Sequence, residues 1–258
     1  MHWSFRNTGK HAGAFNMEFD ESLVRSLALG GGNPTVRVYG WNPSAISIGW
    51  NQRLDEIDTS LANHDGVDVV RRPTGGRAIL HSEELTYSVA MSSPAKNVLA
   101  VYNDISQALV CGLKRLGVDA SLEKSQPHFP SWYRSTSSVA CFSSSARYEI
   151  QVKGRKLVGS AQRRYVGQNG DEIVLQHGSL LLGPDHKRLT KYLKLSDESD
   201  RARLKAEMDK KTIDLSEVLG RLIAFDECAD ALSRGFEETW GITFDLANLE
   251  PSTAGAFS

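Results

Sequence analysis

Three strand-like segments follow one another in the second half of the chain, and they constrain the fold more than any other feature. They read YEIQV, KLVGSAQRRYV and EIVLQHGSLLL. Lys153-Gly154 separates the first two, and the residues from Gln168 to Asp171 separate the second from the third. Because such short, turn-forming connections join neighbouring antiparallel strands, the sequence predicts a three-strand meander.

Further strands and helices lie on both sides of this meander. Strand-like runs read TVRVYGW, AISIGWN and VDVVRR, with an Asn42-Pro43 turn between the first two. Helical patterns cover Asn16 to Gly32, a short segment near Leu54 to Ala62, Asn97 to Gly117, and four segments after Pro184, the last of which precedes a short ITFDL strand. This pattern predicts an α+β fold with a mixed or antiparallel β-sheet and packed helices. We expect a single domain over residues 1–251 and a frayed tail over 252–258.

Composition excludes several classes of protein. The 258 residues are 40% hydrophobic and carry a net charge of -1, so no basic field indicates nucleic acid as a partner. The N-terminus has no apolar signal region and no run of eighteen apolar residues occurs, so we expect a cytoplasmic protein that does not contact a membrane. The cysteines and histidines lack the spacing of metal ligands, so no metal site is expected.

The segment VVRRPTGGRAILHSEELTYSV places polar and flexible residues between two strand-like runs. The adjacent Gly75 and Gly76 let main-chain N–H groups approach a ligand, and Arg72 and Arg77 offer planar donors for a carboxylate or phosphate. The alternative interpretation is a tight hairpin with solvated arginines. His81 follows this loop and can orient it, contact a ligand, or only bond to backbone.

Cys141 differs from the other two cysteines. Cys111 and Cys228 lie in amphipathic helical patterns and indicate core packing, whereas Cys141 lies among small hydroxyl residues where substrate can reach it. Lys156 lies 15 residues downstream, across a predicted hairpin turn, where an ammonium would lower the pKa of the thiol. The alternatives are a structural thiol and an exposed hairpin lysine, whose replacement by alanine would leave the fold largely intact.

Three blocks, RRPTGGRAILHSEELTYSV, then ACF with YEIQVKGRKLVGSAQRR, then LQHGSLLL, together resemble the biotin ligase, lipoate ligase and octanoyltransferase superfamily. The resemblance spans roughly residues 69–182, and the earlier SIGWNQ also fits. It is strongest to the cysteine-dependent octanoyltransferases, because Arg77 follows Gly75-Gly76 where ligases usually have a third glycine. One departure is Ser143 to Ser145, which follow ACF where an acidic residue and a proline are expected.

This resemblance implies a biotin/lipoate protein ligase-like catalytic domain, an acylated Cys141 and an essential Lys156. It implies that the loop with Gly75 and Gly76 walls a tunnel for an acyl chain. The residues expected to bind substrate are Arg72, Gly75, Gly76, Arg77, His81, Gly159, Ser160, Ala161, His177 and Gly178. No cofactor is implied.

The reaction implied moves an octanoyl group from octanoyl-acyl carrier protein through a cysteine thioester to the lysine of a lipoyl domain. Glycine cleavage H protein and the acyltransferase subunits of 2-oxoacid dehydrogenases are the expected acceptors. Arg163-Arg164 and HKRLTKYLK are candidate docking sites for these acidic partners, or else a solvated surface. An ATP-dependent lipoate or biotin ligase, an octanoyl amidotransferase acting from the H protein, and a catalytically silent binder of lipoylated proteins stay open as alternatives.

Overall fold

The computed structural model describes residues 2–93, 97–122 and 149–245. Its strands are β1 (Trp3–His11), β2 (Thr35–Trp41), β3 (Ala45–Ile48), β4 (Asp68–Arg71), β5 (Ile79–His81), β6 (Glu84–Ser92), β7 (Ser121–Leu122), β8 (Ile150–Val152), β9 (Arg155–Val166), β10 (Glu172–Leu181) and β11 (Phe244–Asp245). Its α-helices are α1 (Gly13–Ala28), α2 (Thr59–His64), α3 (Val98–Arg115), α4 (Glu198–Lys211), α5 (Leu215–Leu219) and α6 (Phe225–Trp240). Leu54–Glu56 and Pro184–Tyr192 are 3₁₀ helices.

Eight strands form the main sheet in the order β11-β1-β2-β6-β10-β9-β8-β7. β1 runs parallel to β2 and to β11, and the other neighbouring pairs are antiparallel. β3 forms a second, three-stranded sheet with β4 and β5. The predicted mixed sheet is therefore confirmed, and so is the meander, which corresponds to β8, β9 and β10.

Helices cover both faces of the main sheet. Along β10, Val174 packs in the core beneath α3 and α6, whereas its neighbours Ile173 and Leu175 pack against α1. α3 and α6 cross closely, because a Cβ on Gly235 would lie 2.4 Å from the Gly112 nitrogen. The small sheet has its own core, to which the Pro184–Tyr192 helix and α4 contribute.

Three elements differ from the sequence-based expectation. β1 was not predicted, because its polar and half-buried residues lack the alternation typical of a strand. The helix expected near Leu54 to Ala62 divides in two, because Asp58 caps α2 by accepting a hydrogen bond from Leu61 N–H at 3.0 Å. The segment from Pro184 to Tyr192 is a 3₁₀ helix instead of an α-helix. The tail expected over 252–258 lies outside the described residues.

Candidate active site

Arg72 organises the loop that connects β4 to β5, which we define as the Arg-Gly-Gly loop (residues 72–78). Its guanidinium donates to the carbonyl of Gly75 at 2.8 and 3.1 Å, to that of Arg77 at 2.8 Å and to that of Ser47 at 2.9 Å. The side chain is buried. The interpretation of Arg72 as a solvated arginine is therefore wrong, because its donors hold the backbone of the loop.

Two further arginines fasten the surroundings of this loop. Arg71 donates to the carbonyls of Gly49 and Gln52, at 2.8 and 2.9 Å, and so holds the segment after β3. Arg163 on β9 donates to the Pro73 carbonyl at 2.9 Å. Arg71 and Arg72, which are adjacent at the end of β4, therefore hold the backbone of two neighbouring loops.

A cavity of about 370 Å³, part of it open to solvent, lies beside the Arg-Gly-Gly loop. Met17, Tyr39, Trp41 and Ile79 form its apolar wall. Seven of the ten residues expected to bind substrate also line it: Arg72, His81, Gly159, Ser160, Ala161, His177 and Gly178. The structure therefore brings residues from six strands, one helix and one loop together around a space with mostly apolar walls.

The other three expected residues, Gly75, Gly76 and Arg77, do not line this cavity. Gly75 and Gly76 are exposed at the tip of the loop, and the Arg77 guanidinium lies 3.7 Å from the Glu56 carboxylate. Gly76 has φ of +100°, a conformation that favours glycine.

His177 lies between a carboxylate and a hydroxyl. Its Nδ1 is 3.1 Å from Asp20 Oδ2, and its Nε2 is 2.6 Å from Thr74 Oγ1 in the Arg-Gly-Gly loop. Burial lowers the pKa of His177, and Asp20 offsets this only in part. Burial acts to raise the pKa of Asp20, but Arg37 and the donors around the carboxylate outweigh it and lower the pKa. The neutral ring and ionised Asp20 therefore coexist at neutral pH.

His81, which also lines the cavity, likewise lies between a carboxylate and a hydroxyl. Its Nδ1 lies 2.8 Å from Glu84 Oε1, and its Nε2 lies 2.7 Å from Ser47 Oγ, which accepts a hydrogen bond from Arg72. The ring stacks on Trp41 with centroids 4.0 Å apart. Burial acts to raise the pKa of Glu84, but His81 and neighbouring hydroxyls outweigh it and lower the pKa.

Gly178 leaves room for the polar wall of the cavity. It pairs with Ser160 across β9 and β10, and a Cβ at this position would lie 2.7 Å from Ser160 Oγ and 2.4 Å from the Gly159 carbonyl oxygen. The Tyr87 hydroxyl donates to Ser160 Oγ at 2.7 Å, and burial raises the pKa of Tyr87 to about 12, which keeps it a donor.

Lys156 is buried and is not the exposed hairpin lysine that the sequence allows. Its Nζ donates to Glu149 Oε1 at 2.5 Å, and both side chains are almost completely inaccessible. The pairing of β8 with β9 shifts register between Ile150 and Gln151, beside Lys156. Such bulges redirect side chains locally. The Lys156 carbonyl also accepts a hydrogen bond from Ile213 N–H at 3.0 Å.

The three cysteines differ in what the structure describes of them. Cys141, the expected nucleophile, lies outside the described residues. Cys228 is fully buried in α6, and Cys111 is half-buried in α3, as expected of cysteines that pack.

The basic segments expected to recruit acidic partners are largely engaged within the chain. Arg164 pairs with Glu172. Arg163 stacks over Trp50, with its guanidinium carbon 4.5 Å from the ring centroid. In HKRLTKYLK, the ion pairs are Lys187 with Asp209, Arg188 with Asp185 and Lys191 with Asp65.

Sequence reasoning missed the residues that orient the site. In the sequence, Asp20 serves only as one of the acids that favour the N-terminal end of the helix predicted over Asn16 to Gly32, and Glu84, Ser47 and Thr74 are not singled out. A signal for Asp20 existed, because it lies in the helical pattern close to the apolar Val24. In the part of the chain that the structure describes, no helix is long and apolar enough to cross a membrane. Those residues also contain no group of three or more metal-ligating side chains.

The fold has close counterparts among solved structures. A bipartite lipoate protein ligase from Thermoplasma acidophilum is 24% identical, with a TM-score of 0.75 over 95% of this chain and 86% of that one. A lipoate-protein ligase A bound with ATP is also 24% identical, with a TM-score of 0.74 over 95% and 88%. At this identity the likeness establishes the fold alone, which is that of a lipoate-protein ligase catalytic domain.

Sequence comparison then places the chain within this class. The model of the lipoyl protein ligase A/B catalytic domain matches residues 12–237, and the chain belongs to that family. Proteins named octanoyltransferase LipM from Kyrpidia tusciae and Geobacillus kaustophilus are 39% and 40% identical, over 96% and 98% of this chain and 89% and 90% of theirs. The LipM of Bacillus subtilis is 36% identical over 96% and 88%. The chain is accordingly an acyltransferase.

Proposed function

We propose that the protein transfers an octanoyl group from octanoyl-acyl carrier protein, through a thioester on Cys141, to the target lysine of lipoyl domains. The observation that carries this proposal is the similarity, over nearly the whole chain, to proteins named octanoyltransferase LipM. The cavity supports it, because an octanoyl chain needs a narrow site with apolar walls such as Met17, Trp41 and Ile79 provide.

The first step forms the acyl-enzyme. The Cys141 thiolate attacks the carbonyl carbon of the donor thioester, the new S–C bond forms, and the old bond breaks to release the carrier as a thiolate that takes up a proton. Lys156 favours the thiolate of Cys141 through its positive charge. Backbone N–H groups of Gly159 to Ala161, which line the cavity, stabilise the oxyanion of the tetrahedral intermediate.

The second step transfers the acyl group to the acceptor. The neutral amine of the target lysine attacks the Cys141 thioester, an amide bond forms, and the Cys141 thiolate leaves. The proton lost by the amine passes to Lys156, which is neutral at this point because its ammonium gave a proton to the departing carrier thiolate in the first step. Splitting the reaction in two lets one cavity hold the acyl chain while two protein partners exchange at its opening.

In this scheme, the buried Glu149 carboxylate holds the Lys156 ammonium in place. A carboxylate 2.5 Å from the ammonium holds its position and favours its charged form. Lys156 therefore enters the first step as an ammonium fixed in direction.

The partners proposed are octanoyl-acyl carrier protein and lipoyl domains, those of glycine cleavage H protein and of 2-oxoacid dehydrogenase acyltransferase subunits. No nucleotide, nucleic acid or membrane takes part, and the reaction belongs to the cytoplasm. Residues 1–251 act as one catalytic domain.

The test is a transfer reaction with ATP withheld. The protein is incubated with octanoyl-acyl carrier protein, and intact-mass analysis is expected to find one octanoyl group on wild type and none on Cys141→Ala. Neutral hydroxylamine should remove the group, and a lipoyl domain should accept it. An adduct that persists in Cys141→Ala, or no adduct on wild type, would contradict the proposal.

The same assay separates the alternatives. A lipoate or biotin ligase requires ATP and tolerates loss of Cys141. An amidotransferase accepts octanoyl groups from octanoylated H protein in preference to the carrier protein. A silent binder transfers nothing from any donor.

A further inference from the structure

We propose that Asp20, His177 and Thr74 form a buried hydrogen-bond chain that fixes the His177 ring in the wall of the acyl cavity and joins it to the Arg-Gly-Gly loop. Thr74 belongs to the loop, His177 to β10 and Asp20 to α1, so these hydrogen bonds connect three separate elements. His177 also lines the cavity. The three are positioning residues: none is assigned a bond-making or bond-breaking role.

The direction of each hydrogen bond in this chain follows from its acceptor. Asp20 accepts from Arg37 Nη1 at 2.8 Å, from the Ser88 hydroxyl at 2.8 Å and from the Tyr39 hydroxyl at 3.0 Å. A carboxylate with three donors, one of them cationic, is ionised and can only accept. His177 Nδ1 therefore carries the hydrogen and donates to Asp20.

The proton on Nδ1 determines the state of the other ring nitrogen. In a neutral imidazole, only one nitrogen carries hydrogen, so Nε2 of His177 is an acceptor. The Thr74 hydroxyl then donates to Nε2 across 2.6 Å. Thr74 is completely buried, so this hydrogen bond is shielded from competing water.

A second link holds the beginning of the same loop. Glu84, His81 and Ser47 connect to Arg72, whose guanidinium holds the carbonyls at the loop tip. In the middle of the loop, the Thr74 hydroxyl bonds to His177 of the main sheet, and the Pro73 carbonyl accepts a hydrogen bond from Arg163. Loss of the Thr74–His177 bond leaves the loop held by Arg72 and Arg163 but no longer fixes the His177 ring in the cavity wall, so the wall loosens without loss of the fold.

The inference rests on the proposed function, because it assigns the cavity to an acyl chain. The probe that tests it is octanamide, which is neutral, does not react and does not depend on Cys141. Titration calorimetry would measure its dissociation constant for wild type and for Thr74→Val, Thr74→Ser and Thr190→Val. Thr190 is the matched control, a buried threonine whose hydroxyl donates only to a nearby carbonyl, that of Lys187, at 3.1 Å.

Thr74→Val is expected to weaken octanamide binding about tenfold, because it removes the donor and leaves His177 Nε2 buried without one. Thr74→Ser should restore binding to within about threefold of wild type, since serine keeps the hydroxyl. Thr190→Val should bind as wild type does. Melting curves confirm that each variant is folded.

Binding by Thr74→Val equal to wild type would overturn the inference, and so would a Thr74→Ser protein as weak as Thr74→Val. Wild type that fails to bind octanamide would overturn both the inference and the assignment of the cavity. If the octanamide pattern holds but no ATP-independent transfer occurs, the proposed function fails and the inference stands.

Discussion

Lys156 Nζ lies 2.5 Å from Glu149 Oε1, in an ion pair that is almost completely removed from solvent. This relationship changes what a substitution of Lys156 means. Loss of activity in such a variant combines loss of the ammonium with the cost of removing a cation from beside a buried carboxylate. The two contributions have to be measured separately.

We expect Lys156→Ala to lower the free energy of unfolding by about 3 kcal/mol, because it removes the cation that lies 2.5 Å from the buried Glu149 carboxylate. The double variant Lys156→Met, Glu149→Gln should recover most of that loss, since no charge remains to be buried. Urea denaturation of these three proteins measures the loss and its recovery. Transfer activity should stay low in both Lys156 variants. A Lys156→Ala protein as stable as wild type would show that the ion pair contributes nothing to folding.

Gly75 and Gly76 are neighbours with different tolerance for a side chain. Gly75 has open space where a Cβ would lie, whereas Gly76 has φ of +100°. We therefore expect the free energy of unfolding of Gly75→Ala to lie within about 0.5 kcal/mol of the wild-type value. That of Gly76→Ala should be about 1 to 2 kcal/mol lower, because of backbone strain. Thermal denaturation of the two variants side by side tests this. Equal stability of the pair would mean that the loop changes conformation at Gly76 without cost.

The sequence predicts elements whose local pattern is strong. β2, the meander and α3 have alternating or helical periodicity with clear turns or caps, and the structure places them within a few residues of the prediction. β1 could not be predicted, because its residues after Phe5 are polar or glycine and its partner β11 comes from the opposite end of the described chain. Pairing over such distances leaves no periodic signal in the strand itself.

The site was predictable in part for a similar reason. Arg72, His81 and His177 lie in motifs that the superfamily resemblance marks, and all three line the cavity. The sequence did not mark Asp20 and Glu84, which orient the two histidines, as site residues, because their importance depends on burial. A carboxylate in a sequence has the appearance of a surface group until the fold shows which donors surround it.

Acid is expected to destabilise the protein through buried histidines. Burial lowers the pKa of His186 to about 4, from 6.5 in the unfolded chain, and it lowers the pKa of His177 as well. As pH falls from 6.5 towards 4, the unfolded state binds protons that the folded state does not, so stability decreases. The shift at His186 corresponds to about 3 kcal/mol.

Between pH 7 and pH 4, the free energy of unfolding should therefore fall by about 3 kcal/mol less in His186→Gln than in wild type. Urea denaturation at the two pH values measures the difference. His64→Gln, at an exposed position, is the control and should retain the full dependence. Parallel curves for His186→Gln and wild type would show that His186 titrates normally in the folded protein.

The cysteines should differ sharply in reactivity. Burial raises the pKa of the Cys228 thiol to about 12, so at pH 8 only about one molecule in ten thousand carries the thiolate that alkylating reagents attack. We expect iodoacetamide to modify Cys141 first in the folded protein and to leave Cys228 unmodified until urea is added. Prior incubation with octanoyl-acyl carrier protein should protect Cys141 alone. Peptide mass analysis after timed alkylation locates each label. Modification of Cys228 in the folded protein would show that α6 opens, whereas an unmodified Cys141 would remove the accessible thiol on which the proposed acyl-enzyme depends.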